Sequence, residues 1–153
     1  MQSHGRKIRV SISAQRLDLL EGEKVRRSFP VSTSAFGIGT EAGSFKTPTG
    51  KFSIAEKIGA GAAEGAVFRS RVPTGEIGAE ENPGDLIQTR ILWLEGLEEH
   101  NANTRERYIY IHGTNHESTI GRPDSHGCIR MRNSDVATLY DLVETGTEVL
   151  IEI

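Results

Sequence analysis

The sequence predicts a mostly β (α+β) fold, a single domain over residues 1–153 with one helix near the C-terminus. Three observations carry this. Apolar and polar residues alternate at period two through most of the chain. Only one segment has the 3.6-residue period of a helix. No linker, internal repeat or low-complexity tail divides a length that suits one domain with a sizeable core.

Taken in order, "KIRVSIS" sets Ile8, Val10 and Ile12 against Arg9, Ser11 and Ser13, a half-buried strand. "RLDLLEGEKVRRSFPVST" reads as two strands around a turn at Glu21 to Lys24, where Gly22 is free to take positive φ. Phe52, Ile54 and Ile58 suit another strand, with Lys51, Ser53 and Lys57 facing out. "LIQTRILWL", "RYIYIHG" and the closing "TEVLIEI" are strand-like as well. The helix follows from Val136, Leu139, Tyr140 and Val143 at i, i+3, i+4 and i+7. Asn133 or Ser134 is placed to cap it, Asp135 suits its first turn, and Gly146 falls past its end. Gly37 to Gly50 and roughly Gly59 to Asp85 read as loops, the second with a short strand around "AVFRSRV".

A net charge of -3 gives no basic surface for nucleic acid. No run of about 20 apolar residues predicts a transmembrane helix. The opening "MQSHGRKIRV" has positive charge but neither an apolar core nor a small-residue cleavage site, so it reads as carrying no export signal. One cysteine forms no intramolecular disulfide, and its count leaves the compartment open.

That cysteine, Cys128, lies in "SHGCIRM", with His112, His116 and His126 upstream. A thiol attacks a carbonyl as its thiolate, and a contacting imidazole favours a thiolate–imidazolium pair. Acyl transfer also needs donors for the developing oxyanion, which backbone N–H groups around Gly127 and Cys128 offer. Gly127 lets a carbonyl approach without a Cβ in the way. A lone cysteine equally reads as a small buried hydrophobe, and Arg130 as a loop brace. A zinc site built from His112, His116, His126 and Cys128 lacks the cysteine pair and spacing of a finger, so no metal and no cofactor is expected.

The motifs go further. "IHGT" followed by "SHGCIRM" resembles the signature of the L,D-transpeptidase catalytic domain family, also called the YkuD domain. "IRVSISAQRLDLLEGEKVRRSFPVSTS", "GSFKTPTGKFSI", "ERYIYIHGTN" and "GTEVLIEI" resemble that family's other segments in order, from about Lys7 to Ile153. The resemblance implies a β-sandwich of mixed sheets with a helix beside the active-site loop. It implies bacterial enzymes acting on peptidoglycan stem peptides, with carbapenem-type β-lactams as inhibitors. Carried onto this chain, Cys128 matches the nucleophile and His112 the general acid/base. Ser125, Gly127 and Arg130 match the motif's other recurring positions, and His126 and Gly113 join them as oxyanion or substrate-side residues. The implied reaction forms a Cys128 thioester on the third residue of a tetrapeptide stem and releases D-alanine. An amine of a second stem, or of a protein, then takes the acyl group. With water as acceptor the same site gives an L,D-carboxypeptidase, and a non-catalytic wall- or metal-binding module is the distant alternative. The family works outside the cytoplasmic membrane, so the resemblance implies periplasm or cell wall. No orienting carboxylate stands out beyond Asp124, a weak candidate, and the Gly59–Asp85 stretch is expected to shape the cleft.

Overall fold

A computed structural model describes residues 5–153; the first four residues of the opening segment read above lie outside the described part. Ten strands form, in chain order β1 (Arg6–Ser11), β2 (Arg16–Glu21), β3 (Lys24–Ser32), β4 (Gly50–Ile58), β5 (Ala66–Arg69), β6 (Val72–Ile77), β7 (Ile87–Gly96), β8 (Tyr110–Gly113), β9 (Ile129–Met131) and β10 (Glu148–Glu152). One helix, α1 (Asn133–Leu142), separates β9 from β10.

The strands make one sheet in the order β4-β10-β1-β2-β3-β9-β8-β7-β5-β6, and β4 also pairs with β7. The sheet therefore returns on itself, and the two layers of the sandwich are opposed walls of a continuous ladder. β1–β10 and β8–β9 are parallel and the other pairs antiparallel, so the sheet is mixed. The period-two pattern explains the interior. Ile8, Val10, Leu17, Phe52, Ile54, Leu92, Leu94, Val149 and Ile151 all turn inward into one cluster with at most 1 % exposure. Val136, Leu139 and Tyr140 of α1, and Val143 at its end, close the same cluster.

Several details differ from the expectations. The loop-like stretch with one short strand is a two-stranded hairpin, β5–β6. The residues after Cys128 form a strand, β9, whose three residues are too few to show a period. The strand-like "RYIYIHG" is a turn until Ile109, and its strand starts at Tyr110. Neither Asn133 nor Ser134 caps α1. Arg132 holds the cap position without a side-chain bond, and the Asn133 N–H donates to Glu117 Oε2 at 2.6 Å. The Asn133 side chain is committed elsewhere: Nδ2 donates to Gln88 Oε1 and to the Thr114 carbonyl, and Oδ1 accepts from Thr89.

Candidate active site

β8 and β9 run parallel in register, with Ile111 opposite Ile129, His112 opposite Arg130 and Gly113 opposite Met131. Side chains alternate along a strand, so this pairing sorts the motif residues by face. Ile111, Ile129 and Met131 point into the main core. Tyr110, His112 and Arg130 emerge on the other face, and Cys128, one step before β9, joins them there. Cys128 packs against a small second cluster of Phe68, Ile91 and Tyr110. The fifteen residues between His112 and Cys128 thus return the chain to a position level with Tyr110, two residues before His112.

Cys128 Sγ is gripped by backbone. The Tyr110 N–H donates to it at 3.3 Å, and the thiol donates to the Tyr108 carbonyl at 3.4 Å. Burial pushes the thiol up to about 12. Asp85 adds to the rise, while the Tyr110 N–H, Arg130 and Arg107 pull against it. His112 is buried, and its Nδ1 lies 2.5 Å from the Gly113 carbonyl. A carbonyl oxygen only accepts, so Nδ1 carries the hydrogen and the neutral ring has its lone pair on Nε2. Burial lowers the imidazole's pKa and Arg130 lowers it further, against the opposing pull of Asp85 and of the Gly113 carbonyl. Burial thus favours the uncharged forms of both groups, thiol and neutral imidazole, over the expected thiolate–imidazolium pair.

Gly113 is required by crowding, because a Cβ there would meet Asn133 Oδ1 at 2.2 Å. Gly127 has φ +121°, open to glycine alone at little cost. Its N–H differs from expectation as an oxyanion donor: it already points at Ser125 Oγ, 3.2 Å away. Ser125 Oγ in turn donates to the Cys128 carbonyl at 2.6 Å, and Thr47 Oγ1 donates to the Gly127 carbonyl at 3.0 Å. These bonds fix the loop that carries the thiol. Among the described residues the Cys128 N–H makes no bond in the loop's backbone network outside the strands. His126 is exposed and packs against Phe36 and Phe45, with ring centroids 5.8 and 5.7 Å away. It borders a groove of about 310 Å³ with Phe45, Arg107 and Ile109. His116 opens a short 3-10 turn, Glu117–Thr119. Among the described residues no group of three or more His, Cys, Asp or Glu side chains is gathered to hold a metal.

Arg130 is 1 % exposed, a buried cation that needs counter-charges. Two carboxylates meet it: Asp124 at 2.9 Å and Asp85 at 2.8 Å. Asp85 also lies 3.4 Å from His126 Nδ1. Burial raises the Asp85 carboxyl, but His112, Arg130 and His126 together bring it below the usual carboxylate range. The sequence reading missed Asp85 as a site residue, since nothing in its Pro/Gly-rich surroundings marks it. Asn115, in "HGTN", holds its loop. Nδ2 donates to the carbonyls of Asn82 and Gly84, and Oδ1 accepts from the Leu86 N–H.

This fold and this Cys/His/Arg arrangement define a known class. The family model of the YkuD L,D-transpeptidase catalytic domain matches residues 5–151, and the chain belongs to that family. Among individual proteins, it is 32 % identical over 144 residues to the putative L,D-transpeptidase YkuD of Bacillus subtilis, covering 94 % of this chain and 64 % of that one. It is 35 % identical over 105 residues to the putative L,D-transpeptidase YqjB of the same organism, covering 69 % of this chain and 51 % of that one. The chain thus spans less than two thirds of these relatives. An L,D-transpeptidase structure from Mycobacterium smegmatis superposes with a TM-score of 0.64 at 20 % identity, over 97 % of this chain and 59 % of that one. L,D-transpeptidase 3 from Mycobacterium tuberculosis, in complex with a faropenem-derived adduct, gives 0.62 at 16 % identity, over 97 % and 60 %. These two likenesses bear on the fold. No helix among the described residues is long and apolar enough to cross a membrane.

Proposed function

We propose that this protein is a cysteine-dependent L,D-transpeptidase that cross-links peptidoglycan stems, or attaches proteins to them, outside the cytoplasmic membrane. The observation that carries the reading is the register of β8 and β9, which extended by one residue brings Cys128 level with Tyr110, two residues before His112 on the same face. The bond from Nδ1 to the Gly113 carbonyl leaves His112 Nε2 as the base.

The thiol of Cys128 attacks the carbonyl of the third residue of a donor tetrapeptide as His112 Nε2 takes its proton. The proton then goes to the nitrogen of the departing D-alanine, and an acyl-thioester remains on Cys128. The Cys128 N–H is the oxyanion donor in this scheme. An acceptor amine attacks the thioester, His112 removes the amine's extra proton, and the thiol is restored. Burial disfavours the Cys128 thiolate, so in this scheme proton removal and attack are coupled, and His112 starts neutral. Arg130, Ser125, Gly113 and Gly127 position the loop and the imidazole, and His126 with Phe45 lines the substrate groove.

The test is incubation with a disaccharide-tetrapeptide, followed by mass spectrometry. A cross-linked dimer is expected, with no product from Cys128→Ala or His112→Gln. A tripeptide product alone points to water as acceptor and a carboxypeptidase. Equal product from the parent and Cys128→Ala overturns the reading. A carbapenem is expected to add its mass to the parent and not to Cys128→Ala. The faropenem adduct of the M. tuberculosis protein supports that expectation.

A further inference from the structure

The β5–β6 hairpin reaches the site through a two-residue turn, Ser70–Arg71. Both residues have positive φ, 48° and 66°. This backbone suits Asn-Gly or Gly-Gly, and L side chains there are strained. The strain places one guanidinium. Arg71 lies over the rings of Trp93 and Tyr108, 4.8 and 5.2 Å from their centroids, and its Nη1 donates to the Tyr110 hydroxyl at 3.1 Å. Tyr108 and Tyr110 are also the two residues whose backbone grips Cys128 Sγ. Arg71 is therefore one aromatic side chain away from the nucleophile.

Its neighbours are differently engaged. Arg130 is paired with both Asp85 and Asp124. Arg107 donates to the carbonyls of Gly39 and Lys46 and to Ser44. Arg105 is paired with Glu56. Among the described residues Arg71 forms no salt bridge, Glu56 acts on it only at longer range, and a phenol takes one of its five N–H donors. A guanidinium pre-oriented on aromatic faces, on the far side of Tyr110 from the nucleophile, fits a planar anion.

We propose that Arg71 is a substrate-binding residue that takes a carboxylate of the donor peptide; the inference rests on the transpeptidase reading above. A tetrapeptide donor offers that chemistry at two places near the scissile bond: the terminal D-alanine carboxylate and a side-chain carboxylate on the third residue. Aromatic support holds the guanidinium still, so less rotamer freedom is lost when the anion binds.

The experiment compares three tetrapeptide donors: the free acid, the form amidated on the third residue's side-chain carboxylate, and the C-terminal D-alaninamide. D-alanine or D-alaninamide release is followed for the parent, Arg71→Gln and Arg71→Lys, with thermal unfolding to confirm folding. The parent is expected to favour the free acid over one of the amides by about tenfold or more in kcat/KM, as a charge-assisted pair implies. Whichever amide is discriminated against identifies the carboxylate bound. Arg71→Gln should erase that preference through KM, and Arg71→Lys should restore part of it. If Arg71→Gln slows all three donors equally, or none, the carboxylate assignment is wrong while turnover by the parent leaves the transpeptidase reading standing. If the folded parent turns over no donor, that reading fails and this one with it.

Discussion

At the residue scale, the site works against its own burial. Cys128 and His112 are each pushed toward neutrality by the low-dielectric face they share, so attack depends on how well the nascent imidazolium is supported. Asp85 is the carboxylate placed to do this: it pulls His112 upward while Arg130 pulls it down. Asp85→Asn should therefore lower the imidazole pKa further. Activity requires neutral His112, so the acid limb of kcat/KM should move to lower pH, with a plateau reduced about tenfold or more. Asp124→Asn, which pairs with the other edge of Arg130 and is not among the charges acting on His112, should leave the limb in place. A pH–rate profile of the three proteins decides it; an unmoved limb in Asp85→Asn reduces Asp85 to a brace. Cys128 and His112 stood out as candidates in the sequence through the motifs "SHGCIRM" and "IHGT". Asp85 did not, since its role comes from the Asn115-held loop, a contact made across about 30 positions of chain.

At the element scale, strands with clean alternation showed themselves and short or conditional ones did not. β1 and β10 alternate buried residues with more exposed ones, which is what period two records, whereas β2 buries four residues in a row and β3 exposes its first five. β9 is buried on both faces over three residues and carries no alternation at all. The start of α1 shows the same limit. Local propensity favours Asn133 or Ser134 as cap, but the Asn133 side chain has better-buried partners at Gln88, Thr89 and Thr114. Glu117 supplies the acceptor from sixteen residues away, and its negative charge also suits a helix N-terminus. Glu117→Ala should cost about 1 kcal/mol, the size of a lost cap, read as a lower urea midpoint with an unchanged m value. An unchanged midpoint would mean that solvent replaces the carboxylate without cost.

At the scale of the whole molecule, the pair β4–β7 closes the ladder between the wall of β10, β1, β2 and β3 and the site strands, a long-range link that no local pattern records. Site and scaffold then unfold together, and the site's buried titratable groups become terms in global stability. Their signs can be worked through. His112 has a folded pKa below its ordinary 6.5, so below that value the unfolded chain binds a proton the folded one resists, and stability falls with decreasing pH. Asp18 and Asp85 have depressed carboxyls; burial opposes the depression, but ion pairs and hydrogen bonds outweigh it. Their contribution is present above the ordinary carboxylate range and is lost as pH drops through their folded values, which steepens the decline near pH 4. On the alkaline side, Cys128 keeps its proton up to about 12 against an ordinary 9.0. Above pH 9 the unfolded thiol ionises while the folded one does not, so stability falls there too, and the raised Tyr110 phenol adds to it from about pH 10. The melting temperature should thus be highest between about pH 7 and 9. Cys128→Ala should flatten the alkaline shoulder, and His112→Gln the first part of the acid one. Calorimetric scans of the parent and both variants from pH 4 to 10 test this: if each variant shifts the whole curve uniformly without changing its shape, the two groups titrate alike in the folded and unfolded chains, and the buried, neutral resting pair is refuted.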